Sequence, residues 1–252
     1  MIIVKSPREI ELMREAGRIT ASVFTALEPL LKPGITTLEL DRVAEKTIRD
    51  QNAVPGFKGY GGFPYTLCIS LNDTLVHGFP SKTRLKEGDI VSIDVGAVYK
   101  GYNGDAARTY EIGKVSEEAH RLIEVTKECF WEAMKVVKPG IYLSDISHII
   151  QVHAEENGFS IPRDYTGHGI GMELHEDPII PNYGQPGHGP KLRKGMCLAV
   201  EPMLHQGDRR TKVLSDGWTV KTIDGKLAAH YENTIVITDD GYEVLTLSEN
   251  DK

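Results

Sequence analysis

Four acidic residues in this chain close or interrupt apolar runs of the kind that form buried strands. Asp94 follows Ile90-Val91-Ser92-Ile93, Glu201 follows Met196-Cys197-Leu198-Ala199-Val200, and Glu232 lies inside Ala228-Ala229-His230-Tyr231-Glu232-Asn233-Thr234-Ile235-Val236-Ile237. Asp105 comes eleven residues after Asp94, across Val98-Tyr99-Lys100-Gly101-Tyr102-Asn103-Gly104, a span suited to a hairpin that returns the second carboxylate beside the first. A buried carboxylate is costly unless it is paired or bound to a cation, and two adjacent ones repel until a multivalent cation sits between them. His168 stands in Thr166-Gly167-His168-Gly169-Ile170-Gly171, where glycines let the backbone bend and an imidazole approach something crowded. His175 follows seven residues on, and His77 stands in Leu75-Val76-His77-Gly78. Taken singly, Asp105 reads as an exposed turn residue and His77 as a solvated loop histidine. Taken together, one neutral imidazole with four carboxylates is the donor set of a two-metal hydrolytic centre. Its oxygen-rich chemistry favours Mn, Fe or Co, whereas a thiolate set would favour zinc.

These residues need elements to hold them. Ser6-Pro7-Arg8-Glu9 reads as a capping box with proline in the first turn. It opens a helix whose stripe Ile10, Met13, Gly17, Thr20, Phe24, Leu27 and Leu31 runs up to Pro33-Gly34. A second helix opens at Thr36 with Glu39 and buries Leu40, Val43, Ala44 and Ile48. Ser116 caps a third, carrying Leu122, Ile123, Phe130 and Val137 and stopped by Pro139-Gly140, and a fourth spans about Ser144 to Asn157. Strands are expected at Thr66–Leu71, Ile90–Val95, Arg108–Ile112, Met196–Val200 and Tyr231–Thr238, with a two-residue hairpin at Asp224-Gly225 joining 219–223 to 226–230.

The order of these elements repeats. Lys32-Pro33-Gly34-Ile35 returns 106 residues later as Lys138-Pro139-Gly140-Ile141, each copy between a long helix and a shorter one. Leu85-Lys86-Glu87-Gly88 with Asp94 returns 107 residues later as Leu192-Arg193-Lys194-Gly195 with Glu201. The expectation is a single domain over 1–252 made of two pseudo-symmetric α/β halves, about 1–113 and 114–252, with Asp94 and Glu201 related by the pseudo-twofold.

Composition bounds the rest. With 252 residues, 40% hydrophobic and 26% charged, the chain has enough core to fold without disulfides or a structural metal. A formal net charge of −7 argues against a protein held to nucleic acid by phosphate contacts. Cys68, Cys129 and Cys197 form no Cys-x-x-Cys pair and suit a reducing compartment, and no apolar stretch reaches membrane-spanning length. A cytoplasmic, unprocessed protein is expected.

Asp89-Ile90-Val91-Ser92-Ile93-Asp94-Val95-Gly96-Ala97, Gly101-Tyr102-Asn103-Gly104-Asp105-Ala106-Ala107-Arg108-Thr109, Thr166-Gly167-His168-Gly169-Ile170-Gly171, His175-Glu176, Val200-Glu201-Pro202-Met203 and Tyr231-Glu232-Asn233-Thr234 closely resemble the type I methionine aminopeptidases over nearly the whole chain. The resemblance implies the pita-bread fold, an α/β (α+β) architecture in which two related halves clasp a dinuclear site for two divalent metal ions. It implies that Asp94 chelates one metal, that Asp105 and Glu232 bridge both, and that His168 and Glu201 hold the other. It also implies that a water shared by the cations attacks the first peptide bond with Glu201 as proton shuttle, His175 at the developing oxyanion and His77 at the scissile amide nitrogen. By the same pattern Tyr60, Phe63, Cys68 and Trp218 line a methionine pocket with Phe57 nearby and His77 at its edge, an apolar slot that suits a thioether. The chain departs from that pattern at Phe63, where tyrosine is expected, at Phe57, often a smaller residue, and at Leu174, often aromatic.

Two other readings are weighed. A proline-directed, creatinase-like relative would carry an extra N-terminal domain, for which Asp94 arrives too early. A catalytically dead binding module would have lost ligands, yet all five are present. The 31 residues from Glu201 to Glu232 leave no room for the insertion of the type II class. Expected partners are nascent peptide N-termini, with transient ribosome contact, no nucleic-acid specificity, no membrane and a monomeric state.

Overall fold

Each of the four helices begins where a side chain satisfies its orphan backbone groups. In the computed structural model, which describes residues 1–248, Ser6 and Glu9 form a capping box at the start of α1 (Pro7–Leu27), and Thr36 and Glu39 form one at α2 (Thr37–Arg49). The Ser116 hydroxyl accepts the Ala119 N–H at α3 (Glu117–Met134), and the Asp145 carboxylate accepts the Tyr142 N–H at α4 (Leu143–Glu156). Two helices end earlier than their apolar stripes suggest. Pro29, which has no N–H to donate, turns the chain after α1 into a 3-10 turn over Glu28–Leu30. After α3 the N–H groups of Lys135, Val136 and Val137 bond three residues back, the tighter geometry in which helices commonly finish.

Fourteen strands follow in chain order among the described residues: β1 (Val54–Pro55), β2 (Leu67–Leu71), β3 (Thr74–Val76), β4 (Ile90–Tyr99), β5 (Tyr102–Glu111), β6 (Gly167–Gly169), β7 (Glu176–Ile180), β8 (Cys197–Val200), β9 (Met203–His205), β10 (Thr211–Val213), β11 (Val220–Thr222), β12 (Ala228–His230), β13 (Glu232–Ile237) and β14 (Tyr242–Val244). The main sheet runs β1-β4-β5-β13-β8-β6-β7, with β2 also on β4 and β14 also on β13. The expected hairpin is there: β4 and β5 pair from Ile90↔Glu111 to Tyr99↔Tyr102, and Lys100 and Gly101 at its tip both have positive φ, as a type I′ turn requires. Strand β5 starts six residues before the expected Arg108 because Asn103, Gly104 and Asp105, poor strand formers alone, are carried in by that ladder.

The Asp224-Gly225 hairpin is corrected. Val220–Thr222 pairs with β3 and β10, whereas Ala228–His230 pairs with β9, so the flanking segments go to different sheets. Asp224 instead ties down the bend, accepting the N–H groups of Lys226 and Asp208.

The internal repeat extends to individual hydrogen bonds. Gly34 N–H donates to the Leu85 carbonyl at 2.8 Å and Gly140 to that of Leu192 at 2.9 Å; Leu85 and Leu192 return bonds to Ile35 and Ile141, each at 2.9 Å. The bridge Thr36↔Arg84 is matched by Tyr142↔Lys191, and Gly88 and Gly195 leave positive-φ turns to meet Ile112 and Ile237.

Two cores fill the same side of the sheet. Phe24, Leu27, Leu40 and Ile48 of α1 and α2 pack on Val91, Ile93 and Val95, while Leu122, Phe130, Ile146 and Ile150 of α3 and α4 pack on Leu198, Val200, Ile235 and Ile237. Helix α1 lies so close to β5 that a Cβ on Gly104 would stand 2.7 Å from the Gly17 nitrogen. The opposite face of the sheet is left for the site.

Candidate active site

Strand register alone brings the five proposed donors to one face. Asp94 stands opposite Ala107, and Ala107 opposite Glu232. Directly opposed residues share a face, as do residues two apart on one strand, so Asp105 joins them from β5. Thr234, two beyond Glu232, faces Ala199, which faces His168; Glu201 lies two beyond Ala199. Ala107 and Ala199, both fully buried, leave the space between the donors open.

The polar groups gathered there are tightly enclosed. His168 Nε2 is 3.5 Å from Glu201 and 3.9 Å from Asp105. Its Nδ1 donates to the Gly169 carbonyl at 2.9 Å, which fixes the tautomer and turns the Nε2 lone pair toward the carboxylates. Asp94 Oδ1, Asp105 Oδ1 and Glu232 Oε1 are buried and accept no hydrogen bond among the described residues. Burial first, and then mutual repulsion, holds Asp94, Glu201 and Glu232 well above the ordinary carboxylate range, and burial pushes Asp105 up to about 7. Burial also lowers His168 to about 4, leaving it a neutral donor at pH 7. Such a set of unmet oxygens and a lone pair is what a divalent cation would satisfy. Two groups of three donors lie within 4.8 Å of one another: Asp105 with His168 and Glu232, and Asp94 with His230 and Glu232.

Above this floor stands an aromatic wall. A cavity of about 300 Å³ is lined at once by the five donors and by Phe57, Tyr60, Phe63, Cys68, His77, Leu174, His175 and Trp218. Cys68 faces Asp94 directly across β2 and β4, so it lies at the junction of floor and wall. Tyr60 and Phe63 come from a short turn in which Gly59, Gly61 and Gly62 all take positive φ. Phe63 packs edge-on to Trp218 at 5.2 Å and Phe79 at 5.4 Å. Pairing of β3 with β11 brings Trp218 to His77, whose backbone is also left-handed. Burial lowers His77 to about 4. His175 Nδ1 meets the Tyr60 hydroxyl at 2.8 Å and its ring lies 4.3 Å from that of His168. Phe57 reaches the floor over Gly96, where a Cβ would come within 2.7 Å of its ring.

Every residue singled out from the sequence thus lies on this one cavity. Reading the sequence did not single out His230, Tyr165, Thr166, Asp164, Val76 or Met203, which also line it. His230 stood in plain view two residues before Glu232; its signal was hidden because the expected hairpin placed it on a different strand pair. Arg108 was also missed. It lies behind the sheet, donating to the Glu232 carbonyl at 2.5 Å and to Asn233 Oδ1 at 2.8 Å, with its guanidinium 4.5 Å from the Tyr231 ring, and so braces the strand that carries Glu232.

Comparison with known proteins extends these observations. The profile of metallopeptidase family M24 matches residues 11–239. A methionine aminopeptidase of Clostridium acetobutylicum is 56% identical over 250 residues, covering 99% of this chain and all of that one. Another, methionine aminopeptidase 1 of Bacillus subtilis, is 52% identical over 98% of this chain. The crystal structure of a Thermotoga maritima methionine aminopeptidase superposes with a TM-score of 0.97 at 50% identity over 98% of this chain and all of that one. A Pyrococcus furiosus prolidase superposes at 0.80 and 27% identity, with only 66% of its own chain covered.

Proposed function

Since the chain belongs to metallopeptidase family M24, and within it to the type I methionine aminopeptidases of pita-bread fold, we propose that it hydrolyses the first peptide bond of nascent proteins and peptides that begin with methionine and have a small second residue. The observation that carries this reading is the union in one cavity of a carboxylate and imidazole floor with an aromatic wall.

Divalent metal use follows from the family. The unpartnered buried oxygens of Asp94, Asp105 and Glu232 fit such a group. In our reading the site would take two ions, drawn from Mn, Fe, Co or similar metals: Asp94 would hold one, His168 and Glu201 would hold the other, and Asp105 and Glu232 would serve both. When bound, divalent cations polarise the scissile carbonyl and acidify the attacking water. Glu201 is the proton acceptor. Its side chain, 12% exposed, is more open than those of Asp105, His168 or Glu232, so it can both take a proton and pass it on. His175, tethered by Tyr60, stabilises the oxyanion, and His77, kept neutral by burial, contacts the scissile amide nitrogen. Tyr60, Phe63, Cys68 and Trp218 enclose the methionine side chain.

Donors come from both halves of the chain, about 1–113 and 114–252, which therefore act as one catalytic unit. No helix among the described residues is long and apolar enough to cross a membrane. We place the protein in the cytoplasm as a monomer that meets nascent chains in transient contact with ribosomes. Three free, buried cysteines support a reducing compartment.

The test compares specificity constants on peptides varied at their first two residues, with metal analysis alongside. Met-Ala should be cleaved far faster than Met-Leu or Met-Lys, and a norleucine peptide should still react, because one methylene-scale change costs only about 10–200-fold. Equal cleavage of Met-Lys and Met-Ala overturns the crowded slot. Preference for proline as second residue over alanine or glycine would favour a prolidase-like activity instead.

A further inference from the structure

We propose that His230 Nε2 is a donor to the cation held at Asp94 and Glu232, so that the centre has an imidazole at each end. The inference rests on the metal-centre reading above and adds a residue to it. His230 ends β12, one residue before β13 begins with Glu232, and its side chain is 2% exposed. Nε2 lies 3.5 Å from Glu201 Oε2 and 3.5 Å from Glu232 Oε2, and it makes no hydrogen bond among the described residues.

Those distances are long for an N–H···O bond, which closes at about 2.7–3.2 Å. The Glu232 distance suits two donors sharing one cation, since bonds of about 2.1 Å at tetrahedral to octahedral angles set neighbouring donors about 3.0–3.4 Å apart, while Glu201 turns one carboxylate oxygen to each imidazole. His168, at the other end, stands at the same 3.5 Å from Glu201. One donor atom each from Asp94, His230 and Glu232 lies within 4.8 Å of the other two, with Asp94 Oδ1 and Glu232 Oε1 also unmet. The backbone fixes the ring's place. The Thr109 hydroxyl donates to the His230 carbonyl at 2.9 Å and accepts the His230 N–H at 3.0 Å, so the peptide is clamped from both sides. Without His230 the Asp94 end would offer oxygen alone. With it, the end gains a nitrogen donor, which raises affinity for later divalent transition metals over Mg²⁺ or Ca²⁺.

The experiment titrates Co²⁺ into metal-free protein, following heat and the visible Co²⁺ spectrum, for the wild type, His230→Gln and His230→Ala. Glutamine keeps hydrogen-bonding capacity but is a poor nitrogen ligand. The expected result is one Co²⁺ step weakened at least roughly 10-fold in both variants, with a changed spectrum. Wild-type affinity and spectrum in His230→Gln overturn the inference. Should neither variant fold, pulsed EPR of the Mn²⁺-loaded wild type decides: imidazole nitrogens from two histidines support the assignment, and one histidine overturns it. A wild type that takes a single equivalent would end the two-ion reading, while the same comparison on that ion still decides the role of His230.

Discussion

The floor and the wall of the cavity are built by different means. Asp94, Asp105 and Glu232 lie on strands locked by ladder register, with His168 two strands further along and Glu201 just past a strand end. Tyr60 and Phe63 ride on a glycine turn, Trp218 and His175 on loops beside short strands. A ladder fixes a side chain through bonds on both sides of its strand, whereas a turn fixes it through packing of rings against one another. The proposed metal donors are therefore set chiefly by the ladder, and of the proposed methionine pocket only Cys68 shares it, the aromatic residues standing on turns and loops.

Removing metal should give the largest effect and act on the floor alone. Chelation is expected to abolish turnover and metal addition to restore it; full activity in a metal-free preparation breaks the comparison at its root. The floor also predicts a pH dependence. Asp105 is raised to about 7 from an unfolded value near ~3.9, so its contribution to stability is complete below about pH 4 and lost as pH rises through 7. Asp94, Glu201 and Glu232 are shifted in the same direction. Buried His77, His168 and His230 are shifted the other way and gain stability as pH rises through about 6.5, so the test lies above that range. The metal-free protein should melt lower at pH 9 than at pH 7, with metal closing the gap; a flat profile there would mean the carboxylates are not held as described.

Glu201→Gln comes next. General-base loss costs about 10²–10⁴-fold, and we expect a fall of that size in kcat with KM for Met-Ala little changed. Near-normal turnover in folded, metal-loaded variant would move the proton acceptor elsewhere.

On the wall, Trp218→Ala should lower kcat/KM for methionine peptides by about 10–200-fold, chiefly through KM, and should leave metal affinity untouched. Weakened metal binding in this variant would erase the division between the two regions. The smallest expected effect is that of Tyr60→Phe, which removes the 2.8 Å bond to His175. A neutral hydrogen bond is worth about 1 kcal/mol, or roughly fivefold, and steady-state kinetics should show that loss in kcat/KM.

Much of this was legible in the chain. Capping boxes at Ser6 and Thr36, the hairpin between Asp94 and Asp105, and the repeat of Lys-Pro-Gly-Ile depend on neighbours in sequence, where local hydrogen bonds and turn geometry decide the outcome. Acids at the ends of apolar runs announced a polar centre because burying them uncompensated is too costly. What the sequence could not decide was pairing between distant segments. Asp224-Gly225 looks like a hairpin turn, yet competition from β3 and β9 sends its flanks apart. That same choice of partner carries His230 to Glu201 and Glu232, and Arg108 behind them. Side-chain direction follows from the ladder a strand joins, and which ladder wins depends on the packing of the whole sheet, so the floor's full membership belongs to the tertiary structure.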